Sequence, residues 1–225
     1  MSNTSVRSLI CTSGLESVEV MADQKNPLLL NALADVGVLD DTIVMVSSDH
    51  GENQGELNVW GDHQTADEIT CRVPLIVRWP GLTEQPRIDR ALHYHFDWAA
   101  TLIEMAGGQV PDNWDGQPFT GAFRSGREAG RDYLVVSQNA WACQRSVRWG
   151  HHLLVRTYHS GFHPFPDLML YDVTEDQHEL EDLAGTEPGL VNEGLALLEV
   201  PRMVPPLVRM PLTLSSVSSM LPSPV

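Results

Sequence analysis

The side chains best suited to chemistry lie in Asp49-His50-Gly51, directly after the apolar run Thr42–Val46 and two serines. Such a largely β-branched run is typical of a strand buried on both faces of a parallel sheet. Ligands bind beyond the carboxyl ends of strands in open α/β sheets, and a glycine there lets the backbone turn sharply. A carboxylate beside an imidazole can form half of a divalent-metal site. Taken alone, the tripeptide is better explained by an aspartate that caps a turn and an ordinary loop histidine.

Two further motifs follow along the chain and change this interpretation. Gly61-Asp62-His63 lies in a polar stretch, and residues 72–81 read Arg-Val-Pro-Leu-Ile-Val-Arg-Trp-Pro-Gly. The succession over residues 40–81 resembles the C-terminal half of the sulfatase family, within the alkaline phosphatase superfamily. In that family a strand ends in Ser/Thr-Asp-His/Asn-Gly, a loop carries a basic residue, and an Arg-Val-Pro-aliphatic strand ends in Trp-Pro-Gly.

The resemblance implies an α/β fold with part of an alkaline-phosphatase-like, parallel-rich sheet flanked by helices, plus a small antiparallel C-terminal sheet with a closing helix. Residues 1–130 are then the C-terminal portion of the catalytic α/β domain, and residues 131–200 form the small antiparallel subdomain. Residues 201–225 hold six of the 15 prolines and no acidic residue. We interpret them as a disordered tail, or as the product of a shifted reading frame.

Hydrophobic periodicity predicts a helix before the first strand. It should start near Leu28 and end at Gly37, which is well placed as a left-handed C-terminal cap. Its apolar residues recur at helical spacing and should face the core: Leu29, Leu33 and Val36.

Further elements follow the site residues. The Arg-Val-Pro strand should span Val73–Trp79, and Asp97 should cap a helix over Trp98–Ala106. Four β-like runs and a final helix complete the prediction: Tyr133–Ser137, Gln144–Arg148, His152–Thr157, Met169–Asp172 and Pro188–Glu199.

The resemblance also implies a metal site. In sulfatases a hydrated formylglycine attacks the sulfur, and a single divalent cation, usually calcium, organises the sulfate oxygens and the nucleophile. By position, Asp49 and His50 match the aspartate-histidine pair that binds this cation. Because calcium prefers oxygen ligands, a histidine at the second position leaves manganese as the alternative, or a role for His50 as a substrate contact.

His63 occupies the loop position at which the family commonly has a lysine. The resemblance implies a catalytic role, in which this residue binds a sulfuryl oxygen or protonates the leaving oxygen. Members of the superfamily that act on phosphate and phosphonate esters also place histidine in this region, so sulfate and phosphate-type esters both remain candidate substrates. The structural alternative is a hydrogen-bonded loop histidine.

The other histidines are interpreted as structural. His93 and His95 alternate ahead of the predicted helix and should be strand or loop residues rather than metal ligands. Four more are irregularly spaced and should occupy ordinary strand and loop positions, with a pocket rim that influences substrate choice as the alternative: His151, His152, His159 and His163.

The attacking group is not found in this sequence. Formylglycine is made from a Cys/Ser-x-Pro/Ala-x-Arg motif, which Cys11, Cys71 and Cys143 do not fit. We therefore expect an incomplete C-terminal part of a sulfatase-type, metal-dependent hydrolase of sulfate esters, with the formylglycine in the missing N-terminal half and little activity in this chain alone. The alternatives are a phosphonate or phosphodiester hydrolase of the same superfamily and a non-catalytic remnant.

The acidic composition of the chain limits which binding partners are expected. The 225 residues include 30 acidic and 14 basic ones, for a formal net charge of −16, which disfavours nucleic acid and anionic membranes as partners. A small sulfate, phosphate or phosphonate ester must then be held by local positive charge. No apolar run is long enough to span a bilayer and no signal peptide is evident, so we expect a cytoplasmic location; the oligomeric state is left open.

Overall fold

Two antiparallel strands, β1 (Val44–Ser47) and β4 (Leu75–Arg78), carry the predicted site in a computed structural model that describes residues 28–199. Every strand pair among these residues is antiparallel. Both strands are half-exposed, whereas the apolar run predicts a parallel strand buried on both faces. The physical reason is that the described residues supply only one neighbour for β1, so its faces lack the flanking layers of a large sheet.

A helix, α1, covers residues 28–35 and ends at Gly37, whose φ of 74° is the left-handed conformation predicted for its cap. The expected burial of its apolar face is wrong for the described chain, because Leu29 and Val36 are 60% and 70% exposed. A short 3₁₀ helix, Leu39–Asp41, follows. Arg78 ties it to β4 by donating to the carbonyl oxygen of Leu39 at 2.7 Å.

The polar stretch after β1 is an ordered segment rather than an open loop. It contains a short antiparallel pair, β2 (Asn53–Gln54) with β3 (Trp60–Asp62), and one helical turn, α2 (Glu68–Cys71). The amide of Asn53 is fully buried and donates to the hydroxyl of Thr65 at 2.7 Å and to the carboxylate of Asp67 at 2.9 Å. Because buried polar groups require partners, this network fixes the path of the segment.

Helix α3 (His95–Met105) begins earlier than predicted. Asp97 is therefore not its cap but lies in its first turn, where its carboxylate accepts from the amide of Tyr94 at 2.8 Å. Arg131 also donates two hydrogen bonds to this buried carboxylate, at 2.6 and 2.9 Å. Helix α4 (Thr120–Ser125) packs nearby, and Trp98 and Phe119 share a small core with it.

The C-terminal elements confirm the predicted antiparallel sheet and closing helix. The strands pair in sequence order and are followed by one helix: β5 (Tyr133–Gln138), β6 (Cys143–Trp149), β7 (His152–His159), β8 (Leu168–Asp172) and α5 (Pro188–Glu199). Val191 and Leu198 of α5 pack on one face of the sheet. Ala66, from the segment between β3 and α2, packs on the other face against Leu153 and Tyr171. The sheet thus supports the segment that carries the predicted site.

The predicted tail, 201–225, lies outside the described residues, as do residues 1–27. The boundaries at 130 and 200 stay predictions. None of the helices within residues 28–199 is long and apolar enough to cross a membrane.

Candidate active site

Asp49 lies just beyond the carboxyl end of β1 with its side chain 88% exposed. Hydrogen bonds from its own backbone amide and from that of His50, aided by the His50 ring, hold the pKa of the Asp49 carboxyl below its usual value. The amide of His50 donates to Asp49 Oδ1 at 3.0 Å. The carboxylate is therefore ionised at neutral pH and presents negative charge at the strand end.

The protonation pattern of His50 follows from its neighbour. Its Nδ1 lies 2.8 Å from the carbonyl oxygen of Gly51, and since a carbonyl only accepts, Nδ1 carries the proton of the neutral ring. The lone pair is then on Nε2, which lies 3.8 Å from Asp49 Oδ2. A backbone carbonyl that fixes the tautomer in this way is the usual support of a metal-binding histidine.

His63 follows β3 and lies on top of His50. The two rings stack with centroids 3.7 Å apart and planes 15° from parallel. Nδ1 of His63 lies 3.0 Å from Glu52 Oε2, so it donates to this carboxylate and leaves Nε2 as the reactive nitrogen. The amide of His63 donates to Asp62 Oδ1 at 2.7 Å, and Gln138 donates to its carbonyl oxygen at 3.4 Å.

The structure therefore brings the three sequence-predicted site residues together: Asp49, His50 and His63. It also adds one that sequence reasoning missed, Glu52. The sequence signal for Glu52 was its place in the run Ser-Asp-His-Gly-Glu, where a second carboxylate follows Asp49 after three residues.

Two of the histidines interpreted as structural have contacts outside this group of site residues. The ring of His93 stacks on Phe119, with ring centroids 4.1 Å apart. His95 opens α3, with Nε2 3.3 Å from the hydroxyl of Ser47 in β1.

The donor set suits a divalent cation. Asp49 offers an oxygen and His50 a nitrogen, while potential ligand atoms of His50, Glu52 and His63 also lie within 4.8 Å of one another. Mixed imidazole and carboxylate donors fit manganese and similar ions, whereas calcium prefers an all-oxygen shell. The residues present thus fit a divalent metal, and their nitrogen content favours an ion softer than calcium.

The backbone around the site is tightly held. The amide of Gly51 donates to the carbonyl oxygen of Thr70 at 2.9 Å, and the amide of Thr70 donates to the buried carboxylate of Asp67 at 2.7 Å. These bonds join the residues after β1 to α2. They set the position of His50 relative to the segment that bears His63.

Cys71, the cysteine nearest to the site in sequence, is not suited to nucleophilic attack. Burial, together with the nearby carboxylates of Asp67, Glu179 and Glu68, raises the pKa of the Cys71 thiol far above its usual value. A buried thiol that stays protonated is inert, because the thiolate is the nucleophile. Cys143 is half-buried and also free. Neither described cysteine supplies an attacking group.

The chain is similar in sequence to known sulfatases. The family model named Sulfatase matches residues 23–108. An N-acetylglucosamine-6-O-sulfatase of Bacteroides thetaiotaomicron is 27% identical over 170 residues, which cover 72% of this chain and 30% of the relative. An ulvan-active sulfatase of Formosa agariphila is 31% identical over 87 residues, or 39% of this chain and 16% of that protein.

Solved structures share the fold. BT4656, in complex with its substrate D-glucosamine-2-N,6-O-disulfate, matches with a TM-score of 0.68 and 24% identity, over 80% of this chain and 38% of that one. BT1596, a 2-O GAG sulfatase, matches with a TM-score of 0.69 and 23% identity, over 79% of this chain and 40% of that one. The likeness covers a larger share of the chain than the residues 23–108 that the family model matches.

The fold is therefore part of the alkaline-phosphatase-like α/β architecture, with a candidate metal and histidine site at the carboxyl end of β1. Residues 23–108 match the sulfatase family model, and the relatives that the chain resembles are sulfatases. The chain spans 30% of the length of the N-acetylglucosamine-6-O-sulfatase and 32% of one ulvan-active sulfatase that it matches.

Proposed function

We propose that this chain is the C-terminal part of a metal-dependent hydrolase of sulfate esters. The observation that carries the proposal is the stacked pair of His50 and His63, with a carboxylate beside each ring, at the carboxyl end of β1. The match of residues 23–108 to the sulfatase family model supports sulfate as the group that is cleaved. The attacking formylglycine is assigned to a part of the fold that the relatives contain and this chain does not span.

Asp49 and His50 would hold the single divalent cation. When bound, the cation supplies Lewis-acid stabilisation of the charge on the ester oxygens. The ionised Asp49 contributes an oxygen ligand, and Gly51 keeps the proton of His50 on Nδ1 so that Nε2 can bind. Calcium is the ion expected from the family, and manganese is the alternative that the imidazole favours.

His63 would act on the leaving-group side. In its protonated form it can donate a hydrogen bond or a proton from Nε2 to the leaving oxygen, as general acid. Glu52 is a positioning residue, because its hydrogen bond to Nδ1 of His63 fixes which nitrogen faces the ester. In this proposal, His63 and Glu52 together take the place of the lysine that sulfatases commonly have at this position.

A phosphonate or phosphodiester hydrolase is the second candidate. It is favoured by one observation, the histidine at position 63 where sulfatases commonly have lysine. The third candidate, a non-catalytic remnant, is favoured by the lack of a formylglycine motif in the 225 residues.

A reconstituted enzyme tests these candidates. The 225-residue chain is joined to the N-terminal part of a related sulfatase that carries the formylglycine, and release of sulfate and of phosphonate products is measured. We expect metal-dependent cleavage of sulfate esters and a loss of roughly 10²–10⁴-fold in kcat on H63A. Cleavage of phosphonates alone would favour the second candidate, and no metal-dependent turnover on either would favour the third.

Glu52 has a matched control in the same segment. Glu56 accepts a hydrogen bond from His178 Nδ1 at 2.9 Å, a distance close to the 3.0 Å of the Glu52–His63 pair, but its partner is not one of the site residues. E52Q should lower kcat and change the pH–rate profile, whereas E56Q should leave the profile unchanged. Equal effects of the two variants would reduce Glu52 to a structural role.

A further inference from the structure

A group of three metal-ligating side chains overlaps the candidate active site but does not include Asp49. His50, Glu52 and His63 each offer one ligand atom, and these atoms all lie within 4.8 Å of one another. The three side chains are 40%, 33% and 42% exposed, so a hydrated ion can reach them. Two imidazoles and one carboxylate form a common donor set of zinc centres that keep a water in the fourth position.

The spacing of these atoms suits zinc. Nδ1 of His63 lies 3.0 Å from Oε2 of Glu52. Two ligands bound to a tetrahedral zinc at about 2.0–2.1 Å are roughly 3.3 Å apart, so this pair has to open only slightly for the ion to replace the proton between them. The ring of His50 stacks on that of His63, with centroids 3.7 Å apart, and brings the third ligand to the same place.

The surrounding backbone holds the ligands in position. Asn53 of β2 pairs with Asp62 of β3. The next residues along the chain outside this pair are Glu52 and His63, so the pairing brings two ligands side by side. Asn53 is fully buried and donates to the carboxylate of Asp67 at 2.9 Å, which anchors β2. Ligands that are fixed in advance lose little conformational entropy when an ion binds.

This group differs from the proposed cation site at Asp49 and His50. Asp49 Oδ2 lies 3.8 Å from Nε2 of His50, but Asp49 is not among the three residues whose ligand atoms all lie within 4.8 Å. Carboxylates suit calcium and manganese, whereas two imidazoles favour zinc. His50 belongs to both groups, and its Nδ1 is engaged by the carbonyl oxygen of Gly51. Because the remaining nitrogen binds one ion at a time, a cation in one position excludes a cation in the other.

We propose that His50, Glu52 and His63 form a zinc site, and that zinc bound there competes with the cation at Asp49 for His50. The inference goes beyond the proposed function, since zinc binding requires neither the ester nor the formylglycine. Zinc in this position also takes Glu52 and His63 away from the leaving oxygen, so it should inhibit the reconstituted enzyme. That consequence rests on the proposed function, whereas zinc binding itself does not.

The experiment titrates the full 225-residue chain with Zn²⁺ and follows the ring signals of its nine histidines by NMR. We expect the signals of His50 and His63 to change together and to reach their end point at one bound zinc per chain. E52Q should weaken this binding roughly 10–100-fold, because it removes a ligand. H63Q should do the same and serves as a second variant, and thermal unfolding verifies that both are folded. Zinc added first should also prevent Mn²⁺ from broadening the His50 signals.

Two controls separate this site from other sources of zinc affinity. E56Q removes a carboxylate that lies 2.9 Å from His178 in a pair outside the group of three, and D49N removes the other carboxylate next to His50. Both variants should bind zinc as tightly as the unchanged chain. The proposal is overturned if His50 and His63 show no saturable change, or if either control weakens binding as much as E52Q does. An equal loss in D49N would place the zinc on Asp49 and His50 instead.

Discussion

A β-carbon on Gly51 would lie 1.8 Å from the carbonyl oxygen of Ile69. The close approach brings the residues after β1 against α2, where the Gly51 amide bonds to Thr70 at 2.9 Å. G51A should therefore lower the free energy of unfolding by about 1–3 kcal/mol, because the clash is with backbone that cannot rotate away.

Urea denaturation measures this change. G121A is the control, since Gly121 lies in helix α4 and a β-carbon there meets nothing within 4 Å. It should be neutral or slightly stabilising, because alanine favours helix. Similar losses in the two variants would mean that the Gly51 contact does not constrain the site.

Arg131 and Asp97 form a buried pair at 2.6 Å, with side chains 17% and 1% exposed. R131A should cost roughly 3–5 kcal/mol of stability, because it leaves the Asp97 carboxylate buried without its cation. Arg156 pairs with Glu199 at 3.9 Å on the surface, so R156A should cost less than about 1 kcal/mol. Chemical denaturation of both variants checks the difference, and a small loss in R131A would contradict it.

Glu179 should make stability fall as pH rises. Burial, and then the nearby carboxylate of Asp67, raise the pKa of Glu179 well above its usual 4.5, outweighing the hydrogen bond from the Glu68 amide. The folded state thus binds this proton more tightly than the unfolded state. The stabilisation is complete below the unfolded pKa and is lost as pH rises from there through the folded pKa.

E179Q keeps the shape and removes the charge. It should raise stability at neutral pH by roughly 1–3 kcal/mol and flatten the decline above pH 4.5. E181Q, at a neighbouring exposed position, should change neither. Thermal unfolding across pH 4–8 measures both, and an unchanged slope in E179Q would show that another group causes the decline.

Manganese offers a direct probe of the metal site, because it is paramagnetic and broadens NMR signals of nearby nuclei. Titrating the chain with Mn²⁺ should broaden the ring signals of His50 first, since its Nε2 faces the Asp49 carboxylate at 3.8 Å. D49N should weaken this effect about tenfold or more, as loss of a ligand does, whereas D41N at an exposed position should not. Broadening that is identical in D49N would remove Asp49 from the site.

His63 should be replaceable by lysine in the reconstituted enzyme, since lysine is the residue that sulfatases commonly have at this position. Both side chains can donate a hydrogen bond or a proton to the leaving oxygen. H63K should therefore keep much of the kcat that H63A loses. Equal losses of kcat in H63K and H63A would contradict a donor role for His63.

Local patterns in the sequence were enough to predict the elements that carry their own signals. The final helix follows from apolar residues such as Val191 and Leu198 at helical spacing, and both are buried. The strands of the second sheet follow from short β-branched runs between turns. The grouping of Asp49 and His63 follows from motif order, because the family resemblance contains tertiary information that periodicity lacks.

Contacts between distant residues could not be predicted in the same way. The burial of Asn53 and Asp67 depends on their meeting at the start of α2, and polar residues in a row indicate only a loop. Glu52 bonds His63 because β2 pairs with β3, a pairing with no hydrophobic signal. The apolar runs in α1 and β1 were identified correctly as helix and strand, but their burial depends on neighbours beyond the described residues.

The half-exposed strands β1 and β4 should affect how much of this polypeptide accumulates in a cell. Met45 in β1, Ile76 in β4 and Ile43 just before β1 are each more than 40% exposed. Among residues 28–199, no third strand pairs with β1 or β4. Such surfaces are what chaperones and proteases recognise and what drives self-association. When the rest of the fold is co-expressed with this chain, the steady-state amount of the chain should therefore rise. We expect this rise to be measurable before any catalytic activity is.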